Sequence, residues 1–236
     1  MTDDTRPQIE VTISAPVDEV WDALRSRDKI RHWMGWEYDG LDGEIDLIFF
    51  TDTQEDAAAR TLTLHGGDEI RLEQDGPGTQ VTLTRAAHGD NPDWDAYYDD
   101  ITEGWVTFLH QLRFAVERHP DAARRTLSFV GSNDHSVQLL DALDLEDIAA
   151  GTPFRTNLLG EDVGGELWFR SDLQLGISVD AWGDGLLVVS GAEPSPRKPN
   201  GAAMAILTTY GLDDSQLAEL NERWQSWWTE HFPAGE

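Results

Sequence analysis

The chain predicts an α+β fold: an antiparallel sheet packed on one long helix at its C-terminal end, with the same order repeated loosely in the second half. Three observations carry that reading. Residues 8–14 alternate strictly, with Ile9, Val11 and Ile13 on one face, the pattern of a half-buried strand. The segments 43–50, 60–64, 68–73 and 79–85 are strand-like, and the last three are joined by His65-Gly66-Gly67 and Asp75-Gly76-Pro77-Gly78, which suit hairpin turns. Residues 97–118 place Ile101, Trp105, Phe108, Leu112 and Ala115 on one helical stripe, with Leu109 and Val116 beside it.

The remaining elements follow in order. Ala15-Pro16 ends the first strand, because proline has no amide hydrogen and restricts the residue before it. A helix starts at about Val17, where Val17, Val20, Trp21 and Leu24 recur at helical spacing and Asp18 and Glu19 suit its positive end. A shorter helix over 28–34 carries Ile30, Trp33 and Met34 and stops at Gly35. A polar loop, 89–94, leads into the long helix, and His119-Pro120 closes the unit. In the second half a strand (125–130) precedes two short helices (137–143 and 145–150). Further strands follow at 166–170, 175–179, 186–190 and 203–210. A final helix over 213–231 carries Leu217, Leu220, Trp224, Trp227 and Trp228, and is expected to cover a sheet face bearing Trp168, Ile177, Val179 and Ile206. The chain is therefore read as two domains, 1–120 and 121–236, the second a divergent copy in pattern only.

Composition narrows the chemistry. There is no cysteine, which removes disulfides, thiolate metal sites, iron–sulfur clusters and a cysteine nucleophile. The formal net charge is −28, shared by both halves, so phosphate backbones and anionic lipid surfaces are repelled and nucleic acid is not an expected partner. Only Lys29 and Lys198 are lysines, a usage that fits a general acidic, arginine-biased composition better than a functional acidic surface. The first residues lack the basic and apolar regions of a signal peptide, and no apolar run approaches the roughly 20 residues needed to cross a bilayer. The expectation is a cytoplasmic protein without membrane insertion.

Four segments together resemble a known family. Residues 13–24, Ile-Ser-Ala-Pro-Val-Asp-Glu-Val-Trp-Asp-Ala-Leu, are similar to the opening of START-like (SRPBCC) domains of the Hsp90-ATPase-activator-like (AHSA1-like) group. Residues 28–33 resemble that group's second helix with its Trp, residues 78–83 its Gly-Thr hairpin strand, and residues 103–112 the Gly-Trp start of its last helix. The resemblance spans residues 7–118 and implies a helix-grip fold, in which sheet and long helix enclose a cavity for a hydrophobic small molecule. It also brings two other readings: a chaperone-associated or other protein partner, and a cyclase- or hydrolase-like enzyme built in the same cavity. The residues themselves favour a non-catalytic binding protein, since no acid/base group is singled out.

Motifs for chemistry are missing from the sequence. The seven histidines form neither His-x-x-x-His nor His-Glu-x-x-His, so no metal or other cofactor is expected. No Gly-x-Ser-x-Gly elbow, Walker loop or dinucleotide fingerprint occurs. Asp99-Asp100 and Asp213-Asp214 read as acids at helix starts. Candidate cavity-lining residues are Trp33, Phe49, Leu64, Trp105, Phe108, Leu109 and Leu112, which would equally fill an ordinary core. Candidate rim residues are His65, His88, Tyr97 and Tyr98, for which plain surface exposure is the competing reading. His110 is expected to face solvent.

Overall fold

The structure is a computed structural model and describes residues 6–87, 92–132, 143, 152–192, 194 and 199–233, with the side chains of 92–97 excepted. It divides into two compact units, Met1–Ala122 and Ala123–Glu236.

Unit 1 runs β1 (Gln8–Ile13), α1 (Val17–Arg25), α2 (Arg27–Arg31), α3 (Leu41–Phe50), β2 (Gln54–Asp56), β3 (Thr61–Thr63), β4 (Glu69–Asp75), β5 (Gly78–Thr84) and α4 (Pro92–Arg118). Its sheet has the order β1-β5-β4-β3-β2, and every neighbouring pair is antiparallel. The register explains the alternation in the sequence. Ile9 lies opposite Leu83, which lies opposite Ile70, itself opposite Leu62; Val11, Val81 and Leu72 form the next row. Period-2 side chains from four strands thus make one apolar face. Leu109, Leu112 and Trp105 of α4 join that face in a single core with Val20 and Leu24 of α1 and Ile30 of α2. Trp33 ties the short helices down by donating its indole N–H to the Ala23 carbonyl at 2.9 Å.

One expected strand is a helix. The sequence reads 43–50 as extended, but these residues lie within α3. Ile45 and Phe49 suit either period, so Leu47 and Leu41 decide. A strand would bury Leu47 with Ile45 and Phe49, whereas a helix buries Leu41, Ile45 and Phe49 at i, i+4, i+8. Leu41, Ile45 and Phe49 are 1%, 2% and 0% exposed, and Leu47 is 47% exposed. The helix won because its one apolar stripe meets the core. The long helix also starts earlier than its stripe suggests, at Pro92, so Asp99 and Asp100 lie inside it rather than at its start.

Unit 2 runs β6 (Arg124–Gly131), β7 (Pro153–Leu158), β8 (Glu161–Arg170), β9 (Gln174–Val179), a 3₁₀ turn (Asp180–Trp182), β10 (Gly185–Ala192), β11 (Ala202–Tyr210) and α5 (Asp214–His231). The sheet order is β6-β11-β10-β9-β8-β7, again antiparallel throughout. The short helices expected over 137–143 and 145–150 fall outside the described residues, Leu143 aside. Ile177, Leu187 and Leu207 are register partners in turn and pack in one core with Leu220, Trp224 and Trp228 of α5. Of the four residues expected beneath α5, Ile177 and Val179 belong to this core. Ile206 does not: it pairs with Val188, the alternate row, and so projects from the other face of the sheet. Trp168 lies at a register shift between Leu167 and Phe169; Leu167 packs on the core, whereas Trp168 is buried outside it. A single-residue bulge of this kind re-aims the side chains beside it.

Candidate functional site

The candidate site of unit 1 lies where the β3–β4 turn, the end of β5 and the middle of α4 meet. Its aromatic side chains form a continuous row. Trp33 and Phe49 meet edge to face at 5.7 Å between centroids, Phe49 and Trp105 at 6.3 Å, and Trp105 and Phe108 at 5.8 Å. Leu64, Leu109 and Leu112 belong to the same core. Six of the seven candidate lining residues are buried, and Phe108 is half-buried at the end of the row. Its ring lies beside Gly35 and Gly104; a Cβ at either would approach it to 3.8 Å.

A polar cluster closes one end. Asp68 Oδ2 accepts from Arg85 Nη1 at 2.7 Å and from the Trp105 indole at 2.9 Å, and Oδ1 accepts from the Ala86 amide at 2.7 Å. The Arg85 guanidinium lies over the Tyr98 ring at 4.6 Å, and the Tyr98 hydroxyl donates to the Ala86 carbonyl at 2.8 Å. The Asp68 and Arg85 side chains are only 12% and 5% exposed, so this ion pair is buried. A buried carboxylate without such donors would be strongly penalised. Both of its oxygens are engaged, which makes it an anchor of α4 on the sheet rather than a group free to handle a proton.

Sequence reasoning missed Asp68 and Arg85, although a signal was present. Val81 and Leu83 point into the core, and Arg85 shares their parity; Ile70 and Leu72 do likewise, and Asp68 shares theirs. Two opposite charges at inward positions on neighbouring strands predict a buried pair. Of the candidate rim residues, Tyr98 joins this cluster. His65 is exposed at 41% of its side chain, 3.9 Å from the Asp52 carboxylate, and its backbone amide donates to the Ile48 carbonyl at 3.1 Å. His88 and the Tyr97 side chain lie outside the described residues.

Two further residues of α4 bear on the site. Gln111 is 3% exposed; its Nε2 donates to the Gly35 carbonyl at 3.2 Å, while its Oε1 is buried with no hydrogen-bond partner among the described residues. His110, expected to face solvent, is instead half-buried, and burial followed by the nearby Arg113 cation pushes its pKa down to about 4. A surface cleft of about 580 Å³ opens elsewhere on unit 1, lined by Val17, Ala59, Arg60, Arg71 and Glu73, where Arg60 pairs with Asp18 and Arg71 with Glu73. Among the described residues no group of three or more His, Asp or Glu could hold a metal ion, and no helix is long and apolar enough to cross a membrane.

The architecture is of the helix-grip kind: an antiparallel sheet closed by a long C-terminal helix, seen in each unit. No family model matches the chain, and no curated protein matches it. Solved structures similar to it include DynU16, from the dynemicin biosynthetic locus, at 19% identity over 96% of each chain with a TM-score of 0.35. The Aha1 dimer from Colwellia psychrerythraea is 18% identical over 47% of this chain and 95% of that one, with a TM-score of 0.35. The di-domain ARO/CYC StfQ from the steffimycin biosynthetic pathway is 12% identical over 93% of this chain and 91% of that one, with a TM-score of 0.32. Likenesses this distant say nothing of the chemistry, which rests on the residues described above.

Proposed function

We propose that this chain is a non-catalytic binding protein that holds an apolar small molecule between α4 and the sheet of unit 1, against the row Trp33, Phe49, Trp105 and Phe108. The observation that carries the reading is Gln111 Oε1, a buried acceptor with no partner among the described residues, one helical turn from the half-buried Phe108. Buried polar atoms are nearly always paired, so an orphan beside an aromatic wall marks where a ligand's donor is received. The ligand is then a largely apolar ring system bearing a hydroxyl or an N–H. Asp68 serves as structural support, because its oxygens already have their donors.

Native mass spectrometry of the freshly purified full chain is expected to show a co-purified small molecule, lost in Gln111→Leu. The added probe 2-naphthol, an aromatic ring system with a single donor, is expected to bind saturably to protein stripped of that molecule. A wild-type spectrum with the bare protein mass alone, together with no saturable 2-naphthol binding by calorimetry, would overturn the reading.

A further inference from the structure

One asparagine of the chain is followed by glycine, at Asn200-Gly201. The pair stands where β10 turns back into β11, just outside the last register partners, Ala192 and Ala202. Pro199 and Asn200 are exposed turn residues, and the Asn200 side chain has no hydrogen-bond partner among the described residues. Neither does the Gly201 N–H. Gly201 has a φ of 61°, in the left-handed region that a Cβ disfavours, so the turn itself calls for glycine. The backbone nitrogen beside the Asn200 amide is therefore both unengaged and unhindered.

The other asparagines lack these features. Asn157 precedes Leu158 in β7, and both ends of its side chain are tied: Nδ2 donates to Asp162 Oδ1 at 2.7 Å, and Oδ1 accepts from the Gly160 amide at 2.8 Å. Asn221 lies within α5 and precedes Glu222, whose amide is committed to the helix ladder. Asn91 is followed by Pro92, which has no N–H, and Asn133 by Asp134, whose Cβ stands beside the attacking nitrogen.

We propose that Asn200 is a self-modification site, at which the β10–β11 turn converts asparagine to isoaspartate with water as the only co-reactant. The Gly201 nitrogen gives its proton to hydroxide and attacks the Asn200 Cγ. A bond forms between them, the Cγ–Nδ2 bond breaks, and the departing nitrogen takes a proton from water to leave as ammonia, which regenerates the hydroxide. The product is a five-membered succinimide. Water opens that ring at either carbonyl, giving aspartate or an isoaspartate whose backbone runs through Cγ; nothing is oxidised or reduced. The change adds one negative charge to a formal −28, and the isoaspartyl form lengthens the turn by one methylene, outside the strand ladder. The site is independent of the reading given for unit 1.

The test is incubation of the folded full chain for several weeks in mildly alkaline buffer at physiological temperature, with peptide mapping by mass spectrometry at intervals. A gain of one mass unit is expected at Asn200, in two chromatographically separate products, one carrying the isoaspartyl linkage by its backbone fragmentation. Asn157 and Asn221 are expected to keep their amides. The rate is expected to rise with pH, because the attacking nitrogen must lose its proton. Gly201→Ala is expected to slow the conversion about tenfold, equivalent to about 1.4 kcal/mol of added barrier. Should that variant not fold, Asn200→Gln decides: its ring closure needs a six-membered product, and the site is expected to stay unmodified. An Asn200 amide that persists in the folded chain overturns the inference, whether or not the same chain reacts in concentrated urea. Conversion to aspartate with no isoaspartate, or at an equal rate in Gly201→Ala, overturns it too, since the nitrogen of residue 201 is then not the attacking group.

Discussion

Trp105 illustrates how one residue serves both layers of unit 1. Its ring fills the core between Phe49 and Phe108, and its N–H reaches the Asp68 carboxylate. Trp105→Ala is expected to destabilise the protein by about 3–5 kcal/mol, the usual range for deleting a buried aromatic. Trp105→Phe keeps most of the packing but removes one donor from a buried charge, for which about 1–3 kcal/mol is expected. Chemical denaturation of the two variants measures both; a loss near zero in Trp105→Phe would mean that the hydrogen bond contributes nothing separable. His110 supplies a pH dependence. Its pKa falls from 6.5 to about 4 on folding, so between those values the unfolded chain binds a proton that the folded chain refuses. The contribution is therefore absent above pH 6.5 and becomes destabilising as pH falls toward 4. The loss of unfolding free energy between pH 7 and pH 5 is expected to be smaller in His110→Gln than in the wild type; equal losses would show that His110 does not titrate abnormally.

At the scale of elements, the readable parts were those in which a single period held without competition. β1 and β5 alternate and are strands; α4 and α5 carry one stripe each and are helices. α3 could not be read because Ile45 and Phe49 fit both periods, and only the exposure of Leu47 in the folded unit separates them. β2 and β7 carried no readable pattern: no residue of β2 is buried, and only Leu158 of β7 is. The start of α5 was legible to a residue. Asp213 accepts from the Gln216 amide at 2.9 Å while the Gln216 side chain accepts from the Asp213 amide at 2.9 Å, a complete capping box. Asp213→Ala is expected to cost about 0.5–2 kcal/mol, read as a lowered thermal midpoint. No change would mean that α5 is held by its Trp224 and Trp228 packing alone.

For the whole molecule the governing property is charge. A formal −28 on 236 residues makes the compact state self-repelling, and salt shortens the reach of that repulsion from about 10 Å at 0.1 M to about 3 Å at 1 M. The thermal midpoint is expected to rise as NaCl is raised over that range. Most ion pairs among the described residues lie at the surface, such as Arg27–Asp46 and Arg125–Asp214, and contribute little. A midpoint that falls with salt would show that these pairs outweigh the net repulsion.

Sequence alone determined the α+β class, the order of most elements and the two long helices, because alternation and helical stripes are properties of consecutive residues. It also brought Trp33, Phe49, Leu64, Trp105, Phe108, Leu109 and Leu112 together as one group, since each lies on an apolar face that has only one core to enter. Tertiary structure decided what happens across strands. The pairing of Asp68 with Arg85 depends on the register of β4 against β5, the position of Ile206 on the far face depends on its partner Val188, and the unmet atom of Gln111 depends on what packs around it. Local periodicity says which way a side chain points; only the assembled sheet and helix say what it meets there.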